Sequence, residues 1–447
     1  MENSKKQIVL IGGGYASIWA YRSIIKELLI ELMEGQVQIK LICPEEFHCF
    51  HGWTAESLTG IVQDENRMSP LKEQFKFAEI IKGKAGCIDP LSRQVYVDMT
   101  EGFRITVPYD HLFLGMGSVD NTEIDGLKEH GFQLKSYRDY RRTKMQIQYL
   151  IRQAAASDTM TAEKNLQFVI AGAGFTGVEI AANLGELLSV MKKKYTALRN
   201  IKSSIKLINS KTSILPGLNS GSMRRYTEKI LGRYGIEIIN QAKINQVTGH
   251  GVKLSDGRFL DSRMVVSTIG QSRININGTR QMDRDSENRI ILNSFLQVSQ
   301  YPNIWGAGDT VHVKHPGTHK TCPSNALWAI RQGEHAGKNI SRAILAQSLK
   351  SFTFKGLGQC ASLGIGKGIG ELYGIPFNGW FAWIMRWFFF QHFMPSRKVM
   401  WQEIADWFHL LIHRERKDFY IPEAKMYKPV KLEGMQAVNL NQPAYQN

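Results

Sequence analysis

The sequence predicts an α/β protein with two Rossmann-like dinucleotide-binding units, followed by an amphipathic C-terminal region. Three observations lead there. Near the start, the apolar run 7–10 ends in Ile11-Gly12-Gly13-Gly14-Tyr15-Ala16-Ser17, after which Ile18, Tyr21, Ile25, Leu28 and Leu32 recur at the three- and four-residue steps of a half-buried helix. The same order returns at 166–171, with the complete G-x-G-x-x-G turn Gly172-Ala173-Gly174-Phe175-Thr176-Gly177 and the apolar helix positions Ile180, Ala181, Leu184, Leu187 and Leu188. Near the end, the stretch from Trp380 to Phe393 is dense in tryptophan and phenylalanine. Strand, tight glycine turn and helix present backbone N–H groups and a helix N-terminus to a pyrophosphate, and a side chain in the turn would hold the phosphate away. One such turn is a weak signal. Two in one chain predict two nucleotides held face to face, one giving electrons and one receiving them.

Composition sets the limits. A chain of 447 residues has room for two or three domains, and 43% hydrophobic with 21% charged residues is ordinary for a folded protein. The net charge of +16 favours anionic partners such as nucleotides, acidic membrane surfaces or nucleic acid. No RNA-binding or zinc-finger pattern is present, so nucleic acid is not an expected partner. Five scattered cysteines without a C-x-x-C argue against a disulfide framework or a metal site and fit a reducing compartment. The residues Met1-Glu2-Asn3-Ser4-Lys5-Lys6 lead straight into the first strand, leaving no room for a signal peptide, and no apolar stretch reaches transmembrane length.

In chain order, Val37–Ile42 closes the first β-α-β unit, where an acidic residue at the strand's end would grip an adenosine ribose. Cys43-Pro44-Glu45-Glu46 stands there, so that carboxylate is Glu45 or Glu46, unless both are solvated loop residues. Residues 47–69 are aromatic and irregular, 95–97 and 104–107 read as a hairpin, and 109–118 is a buried strand ending in Gly115-Met116-Gly117-Ser118. Tyr137 to Ala156 is a basic helix, followed by a polar spacer at 157–163. In the second unit Ser204–Ile208 is the next strand. Asn209 stands where a carboxylate would bind a ribose 2′-hydroxyl and repel a 2′-phosphate; with Lys211 nearby, NADPH stays open beside NADH. Ile304-Trp305-Gly306-Ala307-Gly308-Asp309 is a buried strand whose final carboxylate suits a flavin's sugar-alcohol hydroxyl, and 323–340 is a helix with Ala326, Ala329, Gly333 and Gly337 on its close-packed side.

With Gly306-Ala307-Gly308-Asp309 joined to Gly12-Gly13-Gly14, to Tyr109-Asp110…Gly117-Ser118 and to Gly172 through Glu179, the chain resembles the FAD-dependent pyridine nucleotide oxidoreductases across nearly its whole length. Within that class it is most similar to the type II NADH dehydrogenases, single-subunit enzymes passing electrons from NADH through FAD to quinone. The residues behind this are Gly174-Phe175-Thr176-Gly177-Val178-Glu179, Ala361-Ser362-Leu363-Gly364, Gly379-Trp380-Phe381-Ala382-Trp383, Arg386, Pro395, Arg397-Lys398 and Asp406-Trp407. The resemblance implies that Gly12, Gly14, Glu45, Gly117, Gly308 and Asp309 hold FAD. It implies that Gly172, Gly174 and Gly177 cradle the pyrophosphate of NADH or NADPH, that Glu179 is the catalytic residue beside nicotinamide and flavin, and that no metal is used. The family's acceptor helix reads A-Q-x-A-x-Q; here Ala326-Leu327-Trp328-Ala329-Ile330-Arg331 stands, with Gln332 one residue late, which places the expected acceptor site at Ala326, Ala329 and Gln332. Ser17 departs from the third glycine of the first turn.

In the aromatic stretch Trp383, Trp387, Phe390 and Met394 fall on one helical face, widened by Phe381, Phe388 and Phe389. Cations follow at Arg397-Lys398, and a second amphipathic segment carries Trp401, Ile404, Trp407, Phe408 and Leu411. Tryptophan-rich faces bordered by cations are how monotopic proteins sit in a headgroup layer, so peripheral association with the cytoplasmic side of a membrane is expected. The competing reading packs this face on the protein's own body or on a homodimer partner. The expected organisation is a first FAD-binding part at 1–125, an NAD(P)H-binding domain at 126–289, a second FAD-binding part at 290–350, an acceptor and membrane-associating region at 351–420 and a polar tail at 421–447. The expected reaction is hydride transfer from NAD(P)H to FAD and electron transfer onward to a quinone. Three alternatives stay beside it. They are reduction of a non-quinone acceptor, a regulatory or docking flavoprotein, and sulfide:quinone oxidation, whose cysteine pair could here come only from Cys322 and Cys360.

Overall fold

Six strands make the larger sheet, in the order Gln297–Val298, Tyr301–Gly306, His111–Leu114, Lys6–Ile11, Val37–Ile42 and Ala78–Ile81. The computed structural model describes residues 5–413 and 415–421; the lead Met1 to Ser4 and, apart from Ile421, the polar tail lie outside the described residues. Lys6–Ile11 has a parallel neighbour on each side, and Ile8, Val9 and Leu10 are fully buried, which is why this strand is a continuous apolar run. Tyr301–Gly306 joins the same sheet in parallel with His111–Leu114, so the chain leaves this sheet and comes back to finish it. Over the sheet, helix Tyr15–Met33 packs on helix Ala326–Ile344. A Cβ on Gly333 or Gly337 would lie 2.2 or 2.3 Å from the carbonyl oxygens of Ala16 and Ala20, so only glycine lets the two backbones come this close. That helix starts three residues later than its pattern predicts, because the Asn325 side chain caps it by accepting the Trp328 N–H at 3.1 Å.

The second sheet runs Ile236–Ile239, Ser204–Ile208, Gln167–Ala171 and Met264–Ser267, parallel throughout. The chain crosses between the sheets twice, and the two crossings, Ser118–Asp120 and Gln271–Arg273, pair antiparallel with each other. A third, antiparallel sheet of Gly358–Ser362, Gly368–Leu372 and Ile375–Gly379 precedes the C-terminal helices Trp380–Phe393 and Arg397–His413. The sequence reading did not foresee it.

The two C-terminal helices correct the aromatic face. Trp383, Trp387 and Phe390 pack against the core, Met394 is buried, and Trp383 and Phe390 meet Trp407 and Trp53 at ring distances of 5.3 and 5.1 Å. The centre of the face named from the sequence therefore turns inward, while Phe381 and Phe388, which widened it, and Trp380 are more than half exposed. Among the described residues no helix is long and apolar enough to cross a membrane.

Candidate active site

Both glycine turns are built alike. Gly12 and Gly172 have φ of +93° and +102°, which only glycine adopts without strain, and they turn each chain from strand into helix. Gly14 and Gly174 cap their helices with no side-chain hydrogen bond. A Cβ on Gly14 would meet nothing nearer than 3.9 Å, and one on Gly174 nothing within 4 Å. The space before each helix N-terminus is open and its N–H groups face it, a fit for a pyrophosphate. Gly177 serves packing instead, since a Cβ there would lie 1.9 Å from the Gly172 carbonyl oxygen.

Ser17, where the first turn lacks its third glycine, is explained by the residue opposite. A Cβ on Gly115 would lie 2.2 Å from Ser17 Oγ. In the second turn the roles are exchanged: Gly177 is on the helix, and Thr268, just after the neighbouring strand, fills the space and donates its hydroxyl to the carbonyl oxygens of Ala171 and Gly172 at 2.9 and 3.1 Å. Each crossing holds one side chain and one glycine, in opposite order. Gly115→Ala should therefore cost about 1–3 kcal/mol in a urea unfolding series, and adding Ser17→Gly should return part of it. An unchanged midpoint in Gly115→Ala would refute the exchange.

Two cavities of about 320 and 470 Å³ abut along the turns, sharing Gly14, His48, His51, Met116 and Lys135. Glu45 and Glu46 are both exposed; Glu45 lines the first cavity, beside Cys43, and Glu46 is paired with Lys82. Gly14, Gly117, Gly308, Asp309, Ala326, Ala329 and Glu179 line the second cavity together with Thr176 of the second turn. Asp309 Oδ2 accepts a hydrogen bond from Ser118 Oγ at 2.7 Å and lies 3.3 Å from Lys135 Nζ, which also donates to Ser118 Oγ. Burial pulls the Lys135 ammonium below its usual range, with Asp309 acting against that.

Gln332 is a correction to the expected acceptor site. It is buried under the cleft floor, where its Oε1 accepts the Gly308 N–H at 2.8 Å, and it does not line the cavity. Asn209 is buried too and spends its amide on Asn240 Oδ1 at 2.7 Å and the Lys211 carbonyl at 3.1 Å. Cys322 and Cys360 are free thiols in different surroundings, the first beside Gln332 and the second near Glu179 and Arg386. Burial pushes both thiols up to about 12.

Glu179 stands in the second turn of helix Phe175–Lys194. Its Oε1 accepts the Ser362 N–H at 2.8 Å and meets Arg386 Nη2 at 2.9 Å. Arg386, inside the aromatic helix, also reaches Glu56 Oε1 at 2.7 Å and the Gly52 carbonyl at 2.9 Å. The side chains of Arg386 and Glu56 are 1% exposed and that of Glu179 is 19%, so Glu179 is the carboxylate that touches the cleft. Two carboxylates share one guanidinium. Burial raises the Glu179 pKa to about 7; Arg386 lowers it, the Glu56 charge raises it and the Ser362 N–H lowers it. Burial opposes the charge on Arg386, but the two carboxylates outweigh it and hold the guanidinium protonated. The sequence reading missed Glu56. A lone arginine in an otherwise apolar helix was the available signal, since a buried cation needs a carboxylate.

The chain is similar to known proteins over most of its length. A type II NADH:quinone oxidoreductase of Staphylococcus epidermidis is 27% identical over 394 residues, covering 85% of this chain and 92% of its own length. One from Staphylococcus aureus is 26% identical over 389 residues, with the same coverage of 85% and 92%. Among solved structures, NDH2 from Plasmodium falciparum in complex with NADH superposes with a TM-score of 0.81 at 14% identity, over 91% of this chain and 98% of that one. The sulfide:quinone oxidoreductase of Aquifex aeolicus gives 0.68 at 18% identity, over 91% and 94%. The two glycine turns, Asp309 and the crossings between the sheets all fall within residues 6–333, the span matched by the profile of one family, and the chain belongs to it: the pyridine nucleotide-disulphide oxidoreductases.

Proposed function

We propose that this chain is an FAD-dependent NADH:quinone oxidoreductase of the type II kind. The observation that carries this reading is a single cleft bordered by Gly14 of the first turn, Thr176 of the second, Asp309 and Glu179. Glu45, Gly12, Gly14, Gly117, Gly308 and Asp309 would hold FAD, and Gly172, Gly174 and Gly177 the coenzyme's pyrophosphate. A bound FAD supplies the chemistry that accepts a hydride from NADH and passes two electrons to a quinone. The chain aligns the reactants and supplies charge. Glu179, carboxylate in part near neutral pH, stabilises positive charge developing on the nicotinamide, and its acid form can hold a proton for the acceptor. Ala326 and Ala329 form the small-residue wall at which the acceptor enters. The return of Tyr301–Gly306 to the first sheet supports a split FAD-binding domain, 1–125 and 290–350, around a coenzyme domain at 126–289.

The exposed Trp380, Phe381, Phe388, Trp401, Phe408 and Leu411, with the cations Arg397 and Lys398 at the start of the second helix, support peripheral docking on the cytoplasmic side of a membrane. Anaerobic mixing with NADH should bleach the flavin, and a quinone should restore its colour; no bleaching would remove the reading. With no carboxylate at position 209, NADPH should bleach it as well. Asn209→Glu should slow NADPH about tenfold or more and spare NADH, because a like charge beside the 2′-phosphate is strongly unfavourable.

A further inference from the structure

The Glu56–Arg386–Glu179 bridge has a second copy. Seven residues along helix Phe175–Lys194, on the same face, Glu186 is also buried. Its Oε2 meets Arg416 Nη2 at 3.0 Å, and Arg416 Nη1 donates to the Thr59 carbonyl at 2.9 Å. The two bridges match except at Glu56, whose place in the second is taken by no carboxylate among the described residues. Each has a carboxylate on this helix and a backbone N–H at or just beyond the end of the third sheet's first strand, Ser362 for Glu179 and Ile365 for Glu186, the latter at 3.0 Å. Each has a buried arginine from the C-terminal region and a backbone carbonyl of the segment that follows the flavin-side strands, Gly52 in one and Thr59 in the other. Two turns of helix separate them, about 10 Å.

Arg416 is not loosely hung. Asp418, two residues on, pairs with Lys144 at 2.7 Å, and Phe419 is buried in the hollow left by Gly60, where a Cβ would lie 2.9 Å from its ring. Glu186 keeps other partners, Lys367 Nζ at 3.1 Å and Tyr234 OH at 3.2 Å, so the arginine is not required to neutralise it. What Arg416 adds beyond those partners is the link from Glu186 to the Thr59 carbonyl. Segment 52–59 packs on helix Phe175–Lys194 through Ala55 and Leu58, and the two arginine bridges, two turns apart, pin that contact at both ends.

We propose that Arg416 is a positioning residue for hydride transfer, whose bridge from Glu186 to Thr59 fixes the spacing of the flavin-side segment and the coenzyme-side helix and so holds Glu179 in register on the cleft. This rests on the proposed function.

The test uses the full-length, FAD-loaded protein in four forms besides wild type: Arg416→Met, Arg416→Lys, Glu186→Gln and the Arg416→Met/Glu186→Gln pair. In Arg416→Met the limiting rate of flavin bleaching at saturating NADH should fall about tenfold or more, since a displacement of ~1 Å at reacting atoms can cost about a hundredfold. The apparent Kd for NADH should stay within about twofold, because the pyrophosphate turn is untouched. Glu186→Gln should act in the same direction, and the pair should be no slower than Arg416→Met alone. Arg416→Lys, still able to reach Glu186, should recover part of the rate. Independently of turnover, hydrogen exchange at the amides of 54–61 should quicken in Arg416→Met. A wild-type limiting rate in Arg416→Met, a raised Kd with no loss of limiting rate, or additive losses in the pair would each overturn the proposal. If Arg416→Met does not retain FAD, Glu186→Gln and Arg416→Lys decide by the same rates. A wild-type protein that NADH does not bleach overturns the function itself, an outcome distinct from every variant effect.

Discussion

Glu179→Gln is expected to lower the rate of flavin reduction by NADH about a hundredfold while the protein stays folded and FAD-loaded. The amide keeps the volume and the oxygen that takes the Ser362 N–H, and Arg386 keeps Glu56 as a one-to-one partner at 2.7 Å. What disappears is the charge on the cleft. The carboxylate favours hydride departure because it faces the positive charge that grows on the nicotinamide. The acid form favours the acceptor step, which consumes protons. With its pKa near 7, Glu179 should therefore make flavin reduction rise, and reoxidation by quinone fall, as pH increases through about 7. Stopped-flow traces of the two half-reactions from pH 5.5 to 8.5 should show opposite slopes in wild type and none in Glu179→Gln. Identical profiles in the two proteins would remove Glu179 from the chemistry.

Stability gives a second, independent sign. The folded-state pKa of Glu179 is raised from 4.5 to about 7, so the stability it contributes is fully present below about 4.5 and is lost as pH rises through 7. The glutamine variant carries no such loss. Its stability relative to wild type should improve across that window while its activity is poor, which separates a catalytic defect from a folding one.

The fold was legible where a local pattern determines it. The first strand of each sheet in chain order, Lys6–Ile11 and Gln167–Ala171, is an apolar run that ends in glycine, and helices Tyr137–Ala156 and Trp380–Phe393 occupy the stretches their composition marks. The third sheet was hidden because Gly358, Gly364, Gly366, Gly368 and Gly370 read as breakers. In the fold, the missing Cβ of Gly370 makes room for the Phe377 ring, and that of Gly368 for the backbone of Trp383. The aromatic helix shows the limit of periodicity. Spacing found an apolar face but not its direction, because the partners that bury it, Trp53 and Trp407, come from distant parts of the chain.

The same holds for the site. The glycines, Asp309 and Glu179 were visible because their spacing is local. Glu56 and Arg386 are 330 residues apart, and nothing in either neighbourhood announces the other. Ser17 looked like a defect for a related reason: its compensation, Gly115, lies on a different strand.

Raising the pH through 8 is expected to loosen the two C-terminal helices, and Glu403 is the cause. Its side chain is fully buried between Trp407 Nε1 and the Gln391 amide, both within hydrogen-bonding distance. Burial raises its pKa from 4.5 to about 8, the Gln391 and Trp407 hydrogen bonds lower it, and the charges of Glu56 and Asp406 raise it. Gln391 Oε1 has no partner among the described residues. With Glu403 protonated and the Gln391 amide turned over, the acid O–H donates to that oxygen and the other carboxyl oxygen takes the Trp407 N–H. Deprotonation leaves a buried charge facing Glu56 and Asp406. Because the folded pKa lies above the unfolded one, the contribution is intact below about 4.5 and disappears as pH climbs through 8, a loss of order 3 kcal/mol or more. Urea unfolding followed by tryptophan fluorescence should record this loss in wild type. Glu403→Gln, whose amide can donate to Gln391 and accept from Trp407 at any pH, should lack it. Since helix Arg397–His413 carries the exposed Trp401, Phe408 and Leu411, binding to lipid vesicles should weaken over the same interval in wild type and hold constant in the variant. Parallel pH curves for the two proteins would mean that Glu403 is not the group that titrates.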